Sequence, residues 1–412
     1  MDIAPVIVVG ASLGGLRAAE SLRRQGYAGP VTVIGDEPHL PYQRPPLSKS
    51  ALHDGEVNLA QLTFAHRPAI ADVIWLTGTR VVAADLDHHN VTDQQGRVHA
   101  FRALVIATGV RARRLSVPGG ATAGRYALRT VDDAIALRNV LVPGARVVIA
   151  GAGFIGCEVA ATAVALGCDV HVVATTAVPM EPSLGRDLGA AMQRRHEARG
   201  VRFSMSARIS QAVGDPAVTH VELTDGTVLP CDVLVEAVGS VPNVEWLAGN
   251  DVDSARGLRT DSAMRVVRAN SHSPYDDVYA VGDVARYPHP HHGIEAVSVE
   301  HWNIPTETAK RAAAVLAPML AGDAAHHEAA AADFAPLPSF WSDQYDVHLL
   351  AYGMTRIADR AELLAGALDD ECIVGYYRAD RLVGVCGIGM TSQMLAYRKE
   401  LLAMSTTAGA TA

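Results

Sequence analysis

An α/β fold with two nucleotide-binding sheets, followed by a smaller α+β domain, is predicted by three observations on this 412-residue chain. Two apolar runs, Val6–Val9 and 147–150, each lead into a glycine-rich turn and then into a helical pattern. From about residue 340 to 388 the pattern changes to short runs that are typical of antiparallel strands. Strands that alternate with helices favour parallel sheets, so each glycine-rich turn is predicted to belong to its own α/β domain.

The clearer of the two glycine motifs lies mid-chain, in segment 147–158, Val-Val-Ile-Ala-Gly-Ala-Gly-Phe-Ile-Gly-Cys-Glu. Gly151, Gly153 and Gly156 stand where a dinucleotide site needs a tight turn, close approach to a pyrophosphate, and close helix–strand packing. The helix N-terminus then offers free N–H groups and partial positive charge to phosphates. Because the strand before it and the helix after it both fit, we predict a dinucleotide site rather than a purely structural turn.

The motif near the N-terminus departs from this pattern at one position. Ser12 occupies the place of the middle glycine between Gly10 and Gly15, although Gly14 adds slack. Serine is small, so a pyrophosphate still fits in slightly less room. We call residues 10–15 the first fingerprint and residues 151–156 the middle fingerprint.

An acidic residue follows the next predicted strand, Val31–Ile34, at Asp36 or Glu37. In a dinucleotide site an acid here accepts hydrogen bonds from ribose hydroxyls, and an acidic turn residue is the alternative. Later strand-like runs end at residues 107–109, at residue 239 and at residues 282–283. The carboxyl ends of parallel strands line the ligand crevice, although the aspartate at 283 also suits a helix cap.

Segment 40–49, Leu-Pro-Tyr-Gln-Arg-Pro-Pro-Leu-Ser-Lys, is predicted to be neither helix nor sheet. Its three prolines fix φ and favour one extended shape. Such a stiff loop suits a wall against a flat ring, and a rigid exposed connector is the alternative.

Composition limits the partners and the compartment. A net charge of −9 gives no overall field toward nucleic acid or an anionic membrane, so an acidic partner needs a local basic patch. No apolar run approaches the roughly 20 residues of a membrane span, which predicts a soluble, cytoplasmic protein. The five cysteines form no Cys-x-x-Cys pair, and the histidines of segment 289–292 lack acidic or thiolate neighbours at ligand spacing, so no metal site is expected.

The predicted division has three parts. Residues 1–112 together with 241–320 form a discontinuous FAD-binding domain, 113–240 an NAD(P)H-binding domain, and 321–412 a C-terminal α+β domain. Segment 321–332 is rich in alanine and polar residues and is predicted to be a linker.

Two dinucleotide sites in one chain indicate redox chemistry, because a nicotinamide that faces a flavin can pass hydride to it. The residues therefore predict an oxidoreductase that uses FAD and NAD(P)H. The chain also resembles the bacterial FAD-dependent ferredoxin and rubredoxin reductases, relatives of putidaredoxin reductase that serve cytochromes P450 and ring-hydroxylating dioxygenases. Their arrangement of domains is like that of glutathione reductase. The resembling segments, in order, are 42–49, 107–109, 128–130, 151–156, 280–283, 300–302 and 340–345.

This resemblance implies that Lys49, Glu158 and Trp341 act in catalysis, with Trp341 near the flavin ring and Glu158 on the nicotinamide side. For each there is an ordinary alternative: a surface cation, a charge favoured at a helix N-terminus, and a core tryptophan. The full predicted cofactor-binding set, FAD first, is Gly10, Ser12, Gly14, Gly15, Asp36, Glu37, Arg44, Pro45, Lys49, Val81, Ala107, Thr108, Gly109, Arg129, Gly282, Asp283 and Trp302, with Gly151, Gly153, Phe154, Ile155, Gly156, Glu158 and Gly239.

The chain departs from this family at two places. Ala174 ends the strand after the middle fingerprint, where relatives that prefer NADH usually carry an acid for the ribose 2′-hydroxyl, and no arginine follows until Arg186. NADH is expected through the family, and NADPH stays open. A helical pattern is predicted from about Pro305 to Leu320, and residues 303–305, Asn-Ile-Pro, differ from the commoner start of that helix in the family.

Other classes fit less well. Disulfide reductases need a thiolate beside the flavin, and no cysteine precedes Cys157. Nothing resembles the linker motif of flavin monooxygenases. A NADH-binding sensor of the apoptosis-inducing-factor type remains the alternative function.

The predicted partner is an acidic ferredoxin. Because the chain itself is negative, docking needs local positive charge. The predicted docking residues are Lys310 and Arg311, where the resembling reductases carry a basic pair, and the second choice is the cluster Arg111, Arg113 and Arg114. An ordinary solvated helix face is the alternative for the pair.

Overall fold

The structure is a computed structural model that describes residues 4–65, 67–289 and 293–407. Its first sheet has six strands, and only the edge strand Arg265–Val267 runs antiparallel to its neighbour. The strand order is Arg265–Val267, Pro274–Ala280, Ala103–Ile106, Val6–Val9, Val31–Ile34 and Ile74–Leu76. The first fingerprint therefore follows a strand near the centre of the sheet.

The second sheet has five strands, all parallel. Their order is Arg202–Ser204, Asp169–Val173, Arg146–Ala150, Val233–Glu236 and Arg125–Tyr126. The middle fingerprint follows its central strand, as the first does near the centre of its own sheet. Both central strands are buried apolar runs, because helices cover both faces of parallel sheets.

Helices pack on these sheets and leave their polar faces outward. The α-helices are Leu13–Arg24, Ser50–His53, Leu59–Leu62, Val131–Arg138, Phe154–Ala165, Glu181–Glu197, Ile304–Ala321, Ala325–Ala331 and Thr391–Thr407. Val131–Arg138 begins with a capping box, in which Thr130 and Asp133 satisfy each other's backbone N–H groups. Short 3-10 turns lie at Pro45–Ser48, Pro68–Ile70, Glu245–Leu247, Gly282–Val284 and Thr355–Ile357.

The chain passes between the two large sheets twice, through a two-stranded antiparallel pair formed by Val110–Ala112 and Ser240–Pro242. Three small three-stranded sheets complete the two halves. They are Val81–Asp85 with Asn90–Asp93 and Val98–Ala100, Ile209–Gly214 with Val218–Leu223 and Val228–Pro230, and Leu258–Arg259 with Ala285–His289 and Gly293–Val297. The domain bounds predicted at 112, 240 and 320 remain a proposal.

The third large sheet is antiparallel and C-terminal, as the strand-like pattern predicted. Its order is Ser339–Gln344, Val347–Gly353, Arg381–Ile388, Cys372–Arg378 and Arg360–Gly366. The inner residues Leu349, Val374 and Tyr376 join the core of the second sheet, so this sheet packs on the NAD(P)H side of the predicted division. The predicted α/β fold with a C-terminal α+β domain is confirmed.

Two local predictions are wrong. The proline-rich segment does not stay extended, because Pro45 and Pro46 start the 3-10 turn Pro45–Ser48, where fixed φ and a missing N–H are tolerated. The predicted linker 321–332 contains the helix Ala325–Ala331, since alanine is the strongest helix former and the neighbouring helix Ile304–Ala321 gives it a surface to pack on.

Candidate functional site

The first and third glycines of both fingerprints are required by the backbone itself. A Cβ on Gly10 would lie 2.1 Å from the Ala107 carbonyl oxygen, and one on Gly151 would lie 2.2 Å from the Ala237 oxygen. Gly156 is equally confined, because its Cβ would come within 2.1 Å of the Gly151 oxygen. Gly15 holds the matching position in the first fingerprint, with 1.9 Å to the Gly10 oxygen. These glycines set the turn and the helix contact.

The middle positions differ. A Cβ on Gly153 would meet nothing within 4 Å, so this backbone is open to a ligand. Ser12 points its hydroxyl at Arg44, whose Nε donates to Ser12 Oγ over 3.2 Å. Neither residue caps its helix with a side chain, and the N–H groups at both helix starts stay available to phosphate oxygens.

A cavity of about 900 Å³ opens at the first fingerprint, at the upper end of the usual range for ligand sites. Most of the predicted binding residues line it, from both the first and the second half of the molecule. The lining residues of the predicted set are Gly10, Ser12, Gly14, Asp36, Glu37, Arg44, Pro45, Lys49, Val81, Ala107, Thr108, Gly109, Arg129, Phe154, Ile155, Glu158, Gly282, Asp283, Trp302 and Trp341. Gly15, Gly151, Gly153, Gly156 and Gly239 lie outside it.

Of the two candidate acids, Glu37 is the more firmly held. Arg44 donates to Glu37 over 2.5 Å, and the buried Tyr42 donates its hydroxyl to the same carboxylate. Arg44 also donates to the Arg129 carbonyl over 2.6 Å. Asp36 is exposed and pairs with Arg80 at 3.1 Å. Both acids line the cavity, and which of them accepts ribose hydroxyls stays a prediction.

At the inner end of the cavity, Glu158 lies 5% exposed where three parts of the chain meet. Lys49 Nζ, from the proline-rich segment, lies 2.8 Å from Glu158 Oε2, and Ser48 Oγ donates to the same oxygen over 2.5 Å. Ser342, from the C-terminal sheet, donates to Oε1 over 2.6 Å. A buried carboxylate with an ammonium and two hydroxyl donors is satisfied as an anion.

Aromatic rings close the cavity beside this pair. Trp302 and Trp341 meet edge to face with 5.4 Å between ring centroids, and Trp302 is 41% exposed. Phe340 lies against both Phe154 and His301 at 4.9 Å. Burial, with the charge of Arg356 as a second cause, lowers the pKa of His301 to about 4, so its ring is neutral at pH 7. Such a wall offers flat apolar surface to a ring.

Comparison with known proteins shows which family this chain belongs to. Residues 4–303 match the family described as pyridine nucleotide-disulphide oxidoreductase, and residues 339–412 match the family described as reductase C-terminal. The chain belongs to the pyridine nucleotide-disulphide oxidoreductases. The resemblance to ferredoxin reductases that the sequence predicted is confirmed by individual relatives.

Among these relatives, rhodocoxin reductase of Rhodococcus erythropolis is 33% identical over 410 residues, covering 96% of this chain and 89% of the relative. The ferredoxin–NAD+ reductase component of the anthranilate 1,2-dioxygenase system of Burkholderia cepacia is 36% identical over 368 residues, covering 86% and 83%. The covalent putidaredoxin reductase–putidaredoxin complex is a solved structure with a TM-score of 0.84 and 30% identity, covering 97% of this chain and 93% of that one. The chain is thus an oxidoreductase of the kind found in electron-transfer systems.

In the second sheet, no acid follows the end of the strand Asp169–Val173. Ala174 follows it and is buried, with its N–H bonded to the Ser204 carbonyl over 3.0 Å. Arg186 is exposed and paired with Glu181 at 3.0 Å. The residue that follows this strand is therefore uncharged, and the choice between NADH and NADPH stays a prediction.

The predicted docking residues differ in how free they are. Lys310 is exposed on the helix Ile304–Ala321 and pairs with Glu307 at 2.8 Å. Arg311 is half-buried, and its guanidinium donates to the carbonyls of Ser262, Ala330 and Ala332. It joins two helices, so the sequence pattern misplaced it on the surface.

The arginines of the second choice are also bonded within the chain. Arg111 pairs with Glu245 at 2.6 Å, and Arg114 pairs with Glu236 at 2.7 Å. Arg113 donates to the Ser240 carbonyl over 2.9 Å. These bonds stabilise the region around the two-stranded pair through which the chain passes between the two large sheets.

Among the described residues, no group of three or more histidine, cysteine, aspartate or glutamate side chains is arranged to hold a metal ion. Of the histidine-rich loop, residues 290–292 lie outside the described part of the chain, and His289 is buried against the Pro336 carbonyl at 3.1 Å. Within the same described part, no helix is both long and apolar enough to cross a membrane.

Sequence reasoning missed the neighbours of Glu158. Ser48 and Ser342 are 110 and 184 residues away from it along the chain. The signal lay in the alternation of segment 340–345, which places Ser342 and Gln344 on one face of a strand and Trp341 on the other. Two polar residues on the inward face of a strand indicate a buried polar site.

Proposed function

We propose that this oxidoreductase passes electrons from NADH, through bound FAD, to a ferredoxin that supplies an oxygenase. The observation that carries this proposal is the Lys49–Glu158 pair at 2.8 Å, which joins the two dinucleotide-binding halves inside one cavity. A lysine from the first half and a carboxylate from the second meet where two cofactors would face each other. Relatives named as ferredoxin–NAD+ reductase and putidaredoxin reductase support the same activity.

FAD, when bound, accepts a hydride and releases electrons one at a time. The N-terminus of the helix Leu13–Arg24 would hold its pyrophosphate, and Glu37 with Arg44 would hold its ribose. Arg129 is paired with Asp283 at 2.9 Å on the cavity wall, where it supplies positive charge next to the fixed acid.

Lys49 and Glu158 hold each other in a fixed orientation on the cavity wall. Glu158 balances the charge of the Lys49 ammonium, and Lys49 would present an N–H donor to a reduced, more negative flavin ring if the ring binds next to it. Glu158 holds that ammonium in place, and the open backbone at Gly153 lets a second pyrophosphate approach from its own side. Trp302 and Trp341 line the same cavity and would offer flat apolar surface to the rings.

For the partner, we propose that Lys310 and Arg356 take part in docking an acidic ferredoxin, while Arg311 positions its helix. Arg356 is exposed and makes no hydrogen bond or ion pair with the residues that the structure describes, and its charge acts on His301 in the cavity wall. Arg356 can therefore meet a partner directly, and Lys310 can do so by leaving its exposed pair with Glu307. We place this reaction in the cytoplasm, since all five cysteines are free thiols.

Anaerobic mixing of the purified holoprotein with NADH tests the activity. We expect bound FAD in near-stoichiometric amount, rapid bleaching of its absorbance, and cytochrome c reduction that depends on added ferredoxin. A protein that binds NADH but reduces no ferredoxin in a panel of [2Fe-2S] proteins would instead be a redox sensor. Purification without flavin, from cells with adequate riboflavin, would contradict the proposal.

Charge reversal tests the docking surface. Lys310→Glu and Arg356→Glu should each raise the KM for ferredoxin about 3- to 10-fold at low salt and flatten its dependence on ionic strength, because salt screens steering between unlike charges. The matched control is Arg24→Glu, an exposed arginine at the far end of the helix that starts at the cavity, about 18 Å along it. An equal effect of the control would reduce the result to net charge alone.

A further inference from the structure

A chain of buried hydrogen bonds leads from Glu158 into the C-terminal sheet. The Ser342 hydroxyl, which bonds to Glu158, lies 2.9 Å from Gln344 Nε2. Gln344 Oε1 lies 2.7 Å from His196 Nε2, and His196 Nδ1 lies 3.1 Å from the Tyr345 hydroxyl. These side chains connect the Glu158 carboxylate, which lines the cavity, to the Tyr345 hydroxyl, which lies outside it.

Chemistry allows only one direction for these bonds. A carboxylate accepts only, so Ser342 must donate its proton to Glu158 and offer a lone pair to the Gln344 amide N–H. The amide oxygen of Gln344 then accepts from His196, which must carry its proton on Nε2. His196 Nδ1 is left as an acceptor for the Tyr345 hydroxyl. All four donors therefore point along the chain toward Glu158.

The surroundings hold this direction. Ser342, Gln344 and His196 are each at most 1% exposed, and burial lowers the pKa of His196, which keeps its ring neutral. The only other partner of the Gln344 amide among the described residues is the thioether of Met180, a weak acceptor at 3.5 Å. Aligned bonds in such a dry interior polarise one another.

The far end is fixed from outside. Tyr345 adopts a positive φ of 58°, and the guanidinium of Arg199 lies over its ring at 4.6 Å. Arg199 pairs in turn with Asp346. The tyrosine therefore presents its hydroxyl to His196 in one orientation.

We propose that Gln344, His196 and Tyr345 are positioning residues for flavin reduction, because they orient the Ser342 hydroxyl and so fix the Glu158 carboxylate against Lys49. The inference rests on the proposed function, since it assigns these residues to the NADH reaction. It also gives the C-terminal sheet a part in the first half-reaction, besides its tryptophan beside the cavity.

The first measurement does not depend on turnover. The infrared difference between wild-type holoprotein and Glu158→Gln isolates the carboxylate bands of Glu158, and the same difference is then taken in a Gln344→Met background. We expect those bands to shift in Gln344→Met and to shift less in Tyr345→Phe. The matched control is Tyr376→Phe. The Tyr376 hydroxyl also bonds the C-terminal sheet to the helix that carries His196, Glu181–Glu197, by donating to the Leu184 carbonyl over 2.8 Å. This control should leave the bands in place.

The second measurement is anaerobic stopped-flow reduction by NADH. Loss of one aligned bond should lower the limiting rate of flavin reduction about 3- to 10-fold in Gln344→Met, with the Kd for NADH changed less than about twofold. His196→Leu should fall by a similar factor, and His196→Gln should recover most of it, because a glutamine amide supplies the donor that Nε2 supplied. Tyr376→Phe should match wild type.

The proposal is overturned if the Glu158 bands and the reduction rate are unchanged in both Gln344→Met and Tyr345→Phe, or if Tyr376→Phe changes them equally. Failure of His196→Gln to exceed His196→Leu would also reject it. If Gln344→Met does not fold, the single-atom change Tyr345→Phe decides. Wild-type flavin that NADH cannot reduce would defeat the proposed function instead, and the infrared bands would still decide the positioning role.

Discussion

The first and middle fingerprints are the same turn built twice, and two differences between the halves that carry them bear on ligand binding. Both use glycine at the first and third places, where a Cβ would come within 2.2 Å of a backbone oxygen. At the middle place the first turn has Ser12 and the other has Gly153. After the following strand the first half carries Glu37, and the second half carries Ala174.

We propose that this difference separates a cofactor that stays bound from a cofactor that is exchanged. Arg44 ties the first turn together, because one guanidinium bonds to Ser12, to Glu37 and to the Arg129 carbonyl. The polar groups that would face FAD are thus organised before it binds, which favours tight retention. The second turn has an open backbone at Gly153, and Ala174 replaces the acid after its next strand. Such a site has fewer preorganised polar groups, which suits a nicotinamide cofactor that is exchanged in every catalytic cycle.

The largest expected effect comes from alanine at the first glycine of either turn. Gly10→Ala should cost at least about 3 kcal/mol of folding stability and lose FAD, since its Cβ would meet the Ala107 oxygen at 2.1 Å with φ at 118°. Gly151→Ala should keep FAD and lose reduction by NADH. Flavin absorbance per protein and stopped-flow reduction separate the two. Loss of FAD from both variants would show that the halves do not fold independently.

Coenzyme choice tests the missing acid. Ala174→Glu should shift the ratio of kcat/KM for NADH over NADPH about 30- to 100-fold toward NADH, because a carboxylate there would repel a 2′-phosphate. Ala174→Gln, equal in size and uncharged, is the control and should shift it much less. A wild type already strongly selective for NADH and unchanged by the glutamate would place the ribose elsewhere.

Acid should weaken the first half through His301. Its pKa is lowered to about 4, chiefly by burial, so between pH 6.5 and 4 the unfolded chain binds a proton that the folded chain does not. The free energy of unfolding therefore keeps the full contribution of neutral His301 above about pH 6.5. It decreases as the pH drops, by about 2 kcal/mol from pH 7.5 to 5. Urea unfolding with release of flavin fluorescence measures this loss, and His301→Gln should reduce it. An unchanged slope in that variant would mean that His301 is protonated in the folded protein.

The smallest expected effect comes from exchanging the middle residues. Gly153→Ser should cost little stability, because a Cβ at this position would meet no protein atom within 4 Å. It should raise the Kd for NADH about 10-fold, because the added side chain would crowd the pyrophosphate expected there. Ser12→Gly should leave FAD bound, since Arg44 keeps its other bonds. NADH affinity from flavin reduction at varied concentration measures the first. Equal affinity in Gly153→Ser and wild type would remove the middle glycine from the pyrophosphate site.

Local patterns predicted the central strands of both parallel sheets, the two turns and the helix Ile304–Ala321, because apolar and glycine positions follow the backbone. They failed where tertiary contacts decide. The sequence does not show that Arg311 turns inward to three carbonyls, or that Glu37 rather than Asp36 is held by Arg44. The donors to Glu158 come from distant segments, so no short window contains them.

The position of Ser342 also limits how this chain can be recombined. Its strand alternates, so Trp341 and Ser342 face opposite ways, and inserting one residue would exchange their places. A chimera that takes its last sheet from a reductase without a hydroxyl at this position would leave Glu158 Oε1 buried without its donor. A chimera should therefore exchange the C-terminal sheet together with residues 48, 49 and 158, because their contacts at Glu158 form one interlocked set.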